Sequence, residues 1–448
     1  MSAIALVLLD LGYQVSGSDL HASDLTAKLS HRGGVIHLGH QAANLNGETA
    51  IVVSTAIRPD NPEYAAALER KLPIYHRSDL LAALMRTREG IAIAGAHGKT
   101  TTTSMIALLL EKGGLDPTIL IGGELDEIGG NAKLGSGKFL VAEADESDGS
   151  FLKLAPRIAV VTNIENDHLD YYGTMDNVRA AFDEFMGKVH DSNGLTVACA
   201  DSPIVRELCA VAGRSCISYA IEQDAHFQAA SIASRGMITE FEVLYKGKKQ
   251  GNLQLSIPGR HNIANSLAAL AVGQEVGMSF ERVAEIMPIF RGAKRRFQIK
   301  GNVGGIRVVD DYGHHPTEIF TTLRAARDAT EGRVICIFQP HRYSRTKLLA
   351  EEFGKAFDFA DVVILTDIYS AGELPIEGVS GDTIRREVER HSGKSPYYTP
   401  ELNQIVPLAL SIARAGDMVL TMGAGNIYRV GEELVLALTK ESENGKMS

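Results

Sequence analysis

The chain has 448 residues, 45% hydrophobic and 22% charged, a balance that supports packed cores and excludes wholesale disorder. Its 45 Lys and Arg against 55 Asp and Glu leave a net charge of −10, which gives no electrostatic footprint for nucleic acid or an anionic membrane but leaves small anionic ligands open, since those need only local donors. No apolar run approaches the ~20 residues of a spanning helix, and Met1–Gly12, apolar but carrying Asp10 and no basic leader, does not read as a secretory signal.

In chain order, Ser2–Leu11 predicts a helix ended by Gly12, then a strand at Tyr13–Ser16 and the acidic Asp19. This is the second half of a βαβ unit, so the first strand and its Gly-rich turn are expected to be missing from the front of the chain. Ile51–Ser54, Ile91–Ala94, Phe139–Ala142 and Ile158–Thr162 read as strands buried on both faces, and Val334–Phe338, Val362–Thr366 and Met418–Met422 repeat that pattern late in the chain. Between the groups, Ala225–Ile257 alternates in the manner of antiparallel strands, and helices are expected at Thr101–Lys112, Asn265–Val276 and Ser279–Met287. The class is α/β with mainly parallel sheets. Boundaries near 86–90 and 292–302 fit the roughly three domains that the length allows. The cysteines, Cys199, Cys209, Cys216 and Cys336, show neither CxxC pairing nor framework spacing and read as reduced, mostly buried thiols of a cytoplasmic protein.

The strongest chemical signal is Gly95-Ala96-His97-Gly98-Lys99-Thr100, between the strand Ile91–Ala94 and a helix opening at Thr101. Backbone N–H groups and a helix N-terminus converge there on an anion. Lys99 is placed to reach the β/γ-phosphates of ATP or GTP, and the Thr100 hydroxyl to hold Mg²⁺. The usual GxxxxGK[ST] spacing wants glycine at position 93, where this chain has Ile93, so the loop is a shortened form.

Two polar segments follow neighbouring strands. Glu143-Ala144-Asp145-Glu146-Ser147-Asp148 offers Glu143, nearest the strand end, as a Mg²⁺ ligand, with the other acids read as surface charges. Asn163 to Asp170 offers His168 for a second metal ion or for phosphate.

These motifs, in this order, resemble the Mur ligases, the ATP-dependent amide-forming enzymes of peptidoglycan precursor synthesis. The resemblance runs through GAHGKTTTTS (Gly95–Ser104), EADESDGSFL (Glu143–Leu152), TNIENDHLDYY (Thr162–Tyr172), PGRHNIANSLAA (Pro258–Ala269), RRF (Arg295–Phe297), DDYGHHPTEI (Asp310–Ile319) and QPHRYSRT (Gln339–Thr346), and covers nearly the whole chain. It implies a Rossmann-like UDP-substrate domain at 1–88, incomplete at its start, a P-loop ATPase-type central domain at 89–295 and a Rossmann-like closing domain at 296–448. It further implies Mg²⁺ on Thr100, Glu143 and His168, and His261, Asn262 and Asn265 at the adenine. Arg296 would meet phosphate or the reacting carboxylate, and Tyr312, His314, Arg342 and Arg345 the amino acid and the developing charge. Ser18, Asp19, Ser54, Thr55, His76 and Arg77 remain as UDP-side candidates. The plain alternatives stay open: His261 and the asparagines cap a helix, His314-His315-Pro316 is a turn, and the two late arginines are surface charges.

The activity implied is joining L-alanine to the carboxylate of UDP-N-acetylmuramate through an acyl phosphate, by a monomer or homodimer without nucleic-acid or membrane partners. Related ligases hold the second metal with a carbamylated lysine; the corresponding stretch here, Val178–Phe185, has none. Two rivals are kept: a recycling ligase that attaches a tripeptide, and a nucleotide-binding chain whose turnover is impaired by its missing front end.

Overall fold

The computed structural model describes residues 1–191, 194–211 and 213–443. The first part contains two separate parallel pairs, β1 (Ser16–Asp19) with β2 (Val35–Leu38), and β3 (Ile51–Val53) with β4 (Ile74–His76). The strand expected at Tyr13–Ser16 therefore lies three residues later. Tyr13 is exposed, and the ladder begins only where the Val35 N–H donates to the Val15 carbonyl. The helix Ser2–Asp10 turns Ile4 and Val7 into the cluster that also holds Met85, Leu140 and Phe151. Ser23 and Thr26 form a capping box that starts the helix Asp24–His31.

The central sheet has ten strands: β5 (Glu89–Ala94), β6 (Thr118–Leu125), β7 (Gly130–Lys133), β8 (Phe139–Glu143), β9 (Ile158–Val161), β10 (Leu195–Cys199), β11 (Cys216–Ala220), β12 (Phe227–Arg235), β13 (Ile238–Tyr245) and β14 (Lys248–Leu255), in the order β14-β13-β12-β11-β10-β9-β5-β8-β6-β7. β9, β5 and β8 are adjacent and parallel, with Ala94 opposite Val161 and Ile93 opposite Glu143. Their apolar runs are fully buried because both faces are covered. Two-residue turns join β12, β13 and β14, which only antiparallel neighbours permit, as the alternation in this zone predicts.

The helices predicted from Thr101 and Asn265 begin earlier, as Lys99–Lys112 and Arg260–Glu275, while Ser279 caps Phe280–Ile286. The reading of all four cysteines as thiols is overturned. Cys209 closes the helix Pro203–Cys209 and Cys216 opens β11, so a tight helix-to-strand return brings their Cα atoms to 5.9 Å and the two form a disulfide; Cys199 and Cys336 are free and buried.

The last sheet runs β15-β16-β20-β17-β18-β19, from β15 (Gln298–Val303), β16 (Ile306–Asp311), β17 (Val334–Phe338), β18 (Val362–Leu365), β19 (Tyr397–Tyr398) and β20 (Met418–Met422); only β15 is antiparallel. Alternate residues of one strand enter opposite cores: Cys336 and Phe338 join Leu323 and Phe353, whereas Ile335 and Ile337 join Ile405 and Leu434.

The chain divides into two compact units, the first comprising residues 1–230, 242–253 and 264–287, the second 231–241, 254–263 and 288–448. No helix among the described residues is long and apolar enough to cross a membrane.

Candidate active site

In the first unit, the carboxyl ends of β9, β5 and β8 lie side by side, where ligands of parallel sheets bind. The chain leaves β5 through Gly95 (φ 135°) and enters the helix Lys99–Lys112 through Gly98 (φ 83°), both in the left-handed half of backbone space. A side chain at Gly95 would collide with Thr162 Oγ1 and the Asn163 backbone. Those two residues clasp the loop. Asn163 accepts from the N–H groups of Ala96 (carbonyl, 3.2 Å) and His97 (side chain, 2.9 Å), while Thr162 Oγ1 and Asn163 Nδ2 donate to the His97 carbonyl at 2.6 and 3.0 Å. Thr101 is buried in the first turn of the helix. Asn265 sits beneath the loop, where its Oδ1 accepts from Thr102 Oγ1 at 3.1 Å and faces Gly98.

Thr100 Oγ1 donates to Glu143 Oε2 at 3.2 Å, and Glu143 Oε1 accepts the Gly122 N–H at 2.7 Å. The two predicted Mg²⁺ ligands are thus adjacent, and a hydroxyl beside a carboxylate is the hard oxygen set this ion prefers. His168 (φ 59°) lies with Nε2 3.5 Å from Asp167 and 3.8 Å from Glu146. Imidazole alone suits Mg²⁺ poorly, and these carboxylates supply the oxygens it lacks. The residues fit the metal.

Reading the remaining acids as surface charges is corrected. Glu146 is buried and accepts from Lys99 Nζ at 2.7 Å; Asp145 pairs with Arg77 at 2.5 Å; Asp148 accepts from Thr55 Oγ1 at 2.5 Å, with His76 Nε2 3.7 Å away. Burial holds the Glu146 carboxyl above its ordinary range, against the opposing pull of the Lys99 ammonium. Thr55, His76 and Arg77 are therefore gathered on the acidic loop. Ser18 and Asp19 have partners elsewhere: Ser18 Oγ donates to Glu63 at 2.6 Å and lies 2.8 Å from His40 Nδ1, and Asp19 accepts from the His21 N–H. The Ser54 carbonyl closes a turn with the Ile57 N–H.

In the second unit, loops follow the carboxyl ends of β16, β20 and β17, again neighbours. Arg296 lies over the Tyr312 ring (5.3 Å) and 3.7 Å from Glu318, which accepts the backbone N–H groups of His314 and His315. The His314 ring stands edge-on to Tyr312 and 5.5 Å from His341, and His341 stacks on Tyr369 while its Nδ1 lies 3.2 Å from Arg345 Nη1. Arg342 (φ 70°) heads the helix Tyr343–Leu348, its N–H held by the Tyr369 carbonyl. Asn262 donates to the Pro258 carbonyl at 2.6 Å inside the first turn of its helix.

Burial lowers His261 and His314 to about 4 each, reinforced by Arg296 at His261, while at His314 Glu318 opposes and Arg345 reinforces the shift. His341 falls to about 3, from burial and then the charges of His314 and Arg345. Unfolded, these rings take protons near 6.5. Between about pH 4 and 6.5 the unfolded chain binds more protons, so their contribution is complete above 6.5 and is lost as pH falls. Asp311, raised by burial to about 6, acts oppositely, its contribution being lost as pH rises. The Glu146 carboxyl, also raised by burial, acts in the same sense as Asp311, and the three rings outweigh these two carboxyls. The melting temperature is expected to fall from pH 6.5 to 4, and His314→Asn to flatten that slope by about one proton; calorimetry at stepped pH that finds parent and variant equally steep would refute it.

Asn163, Glu146 and His341 are site residues that the sequence does not single out; their signal is their position inside the stretches Thr162–Tyr172, Glu143–Leu152 and Gln339–Thr346.

Three domain families match in order: the Mur ligase family, catalytic domain at residues 1–89, the Mur ligase middle domain at 93–273 and the Mur ligase, glutamate ligase domain at 295–425. The chain belongs to the Mur ligase family. It is 55% identical over 446 residues to a UDP-N-acetylmuramate–L-alanine ligase of Pelotomaculum thermopropionicum (99% of this chain, 96% of that one), and 52% identical over 435 residues to one of Geotalea daltonii (97% and 95%). Its fold resembles the crystal structure of UDP-N-acetylmuramate-alanine ligase from Thermotoga maritima, with a TM-score of 0.86, 29% identity and coverage of 98% and 97%. A murein peptide ligase from Psychrobacter arcticus gives 0.72 at 26% identity, covering 98% and 96%.

Proposed function

We propose that this chain joins L-alanine to the carboxylate of UDP-N-acetylmuramate at the expense of ATP, in peptidoglycan precursor synthesis. The observation that carries this is end-to-end identity of 55% with a ligase of that name, and the phosphate loop beside paired oxygen ligands supplies the chemistry to match. The domains are assigned to 1–88 for the UDP-substrate, 89–295 for ATP and 296–448 for the amino acid, in a cytoplasmic monomer or homodimer.

A carboxylate resists amines because its charge repels them and oxide is no leaving group. Transfer of the γ-phosphoryl group to it gives an acyl phosphate; the alanine amine attacks, a tetrahedral oxyanion forms and phosphate departs. Positioning and charge neutralisation are what the protein provides. Lys99 and the loop N–H groups hold the β/γ-phosphates. Thr100 and Glu143, with His168 for a second ion, would hold Mg²⁺, which when bound neutralises phosphate charge. The planar guanidiniums of Arg296, Arg342 and Arg345 suit a carboxylate or phosphate better than lysine does. Tyr312 and His314 orient the amino acid, and His261, Asn262 and Asn265 serve the adenine side.

Phosphate release should require both L-alanine and UDP-N-acetylmuramate, and a tripeptide in place of alanine should not support it. Release indifferent to both co-substrates would overturn the assignment. Preference for the tripeptide would favour the recycling reaction, the reading to which the resemblance with the murein peptide ligase points.

A further inference from the structure

The Lys99 ammonium is turned back onto its own surroundings. It donates to the Gly95 carbonyl at 2.6 Å, the Ala96 carbonyl at 3.3 Å and Glu146 Oε1 at 2.7 Å. Three acceptors occupy its three N–H donors, so none is left for phosphate until one contact is exchanged. The Glu146 carboxylate is the partner that a phosphate oxygen replaces like for like.

Glu146 is poorly placed to lose Lys99. Its side chain is 4% exposed, and its other oxygen, Oε2, has no hydrogen-bond partner among the described residues. The loop is fixed from behind by Tyr172, whose hydroxyl donates to the Glu146 carbonyl at 2.5 Å. Once phosphate takes the ammonium, a buried carboxylate stands uncompensated, which is strongly unfavourable. A cation arriving with the phosphate removes that penalty, and His168 Nε2, 3.8 Å from Oε1, stands beside the vacated position.

We propose that Glu146 is a positioning residue that holds Lys99 in the nucleotide-free loop and thereby makes nucleotide binding conditional on a divalent cation. Phosphate that arrives without metal leaves the carboxylate stranded; phosphate with metal does not. This rests on the ATP reading above and adds to it a reason for the metal to act at the binding step, before any chemistry.

The test is calorimetric titration of the full chain with adenylyl imidodiphosphate, once with Mg²⁺ and once with EDTA, for the parent and Glu146→Gln. In EDTA the variant should bind at least about tenfold more tightly than the parent, and the ratio of the two dissociation constants, EDTA over Mg²⁺, should fall by at least about tenfold. Tyr172→Phe, which only loosens the loop, should leave that ratio in place. If Glu146→Gln does not fold, Glu146→Asp, whose shorter arm draws the carboxylate away from Lys99, should shift the ratio in the same direction. A ratio unchanged in the Glu146 variant, or two constants that move together as a general packing role would move them, overturns the proposal while leaving the ATP site standing. A parent that binds the analogue under neither condition overturns both.

Discussion

Lys99→Ala should lower kcat for phosphate release by about 10²- to 10³-fold or more, since on the proposed assignment it removes the positive charge that moves from Glu146 onto the transferring phosphoryl group. The variant should also be less stable. Glu146 would keep its buried carboxylate with no ammonium beside it, a loss that approaches about 3–5 kcal/mol for a fully buried pair. The two effects separate in the double variant Lys99→Ala/Glu146→Gln, which should regain most of the stability and none of the activity. Steady-state phosphate release and thermal melting on the same preparations decide it; turnover within threefold of the parent would refute the role of Lys99.

Glu143→Ala should be comparably severe for a different reason. Glu143 anchors both Thr100 Oγ1 and the Gly122 N–H, so on the proposed assignment the substitution removes one Mg²⁺ ligand and releases the other. We expect kcat to fall about 10²- to 10³-fold and the Mg²⁺ concentration for half-maximal rate to rise by at least about tenfold. Magnesium titration of phosphate release measures both. A fall in kcat with an unchanged magnesium requirement would assign Glu143 to the fold and not to the metal.

The phosphate loop was legible in the sequence because its requirement is local: a backbone that turns sharply between a strand and a helix leaves glycines at fixed offsets. The adjacency of Thr100 and Glu143 was legible too, since strand-end acids of a parallel sheet converge on one edge. What escaped was decided by tertiary neighbours. Nothing in the run of six acidic or small residues from Glu143 to Asp148 distinguishes Glu146, buried against Lys99, from Asp148 two positions on. His341 takes its ring neighbours from His314 and Tyr369, 27 and 28 residues away on opposite sides along the chain. The disulfide was missed because spacing alone cannot reveal that a short helix doubles back on its own strand. The early strand was misplaced because β1 is exposed along most of its length, and such a strand leaves no apolar alternation to read.

The loop from Glu143 to Lys153 does two jobs that experiments will find hard to separate. Its early acids face the phosphate lysine and the helix Lys99–Lys112, while Asp145, Asp148 and Lys153 tie down Arg77, Thr55 and Asp79. Those three contacts fasten a region built of two-stranded parallel pairs, which have little cohesion of their own. The loop is in effect a shared fastener, with chemistry on one side and the seating of the first 88 residues on the other. With residues 1–88 assigned to the UDP-substrate as proposed, a lesion at Asp145 or Asp148 is expected to disturb sugar-nucleotide affinity and turnover together, and a drop in both is no proof that either aspartate touches a reactant.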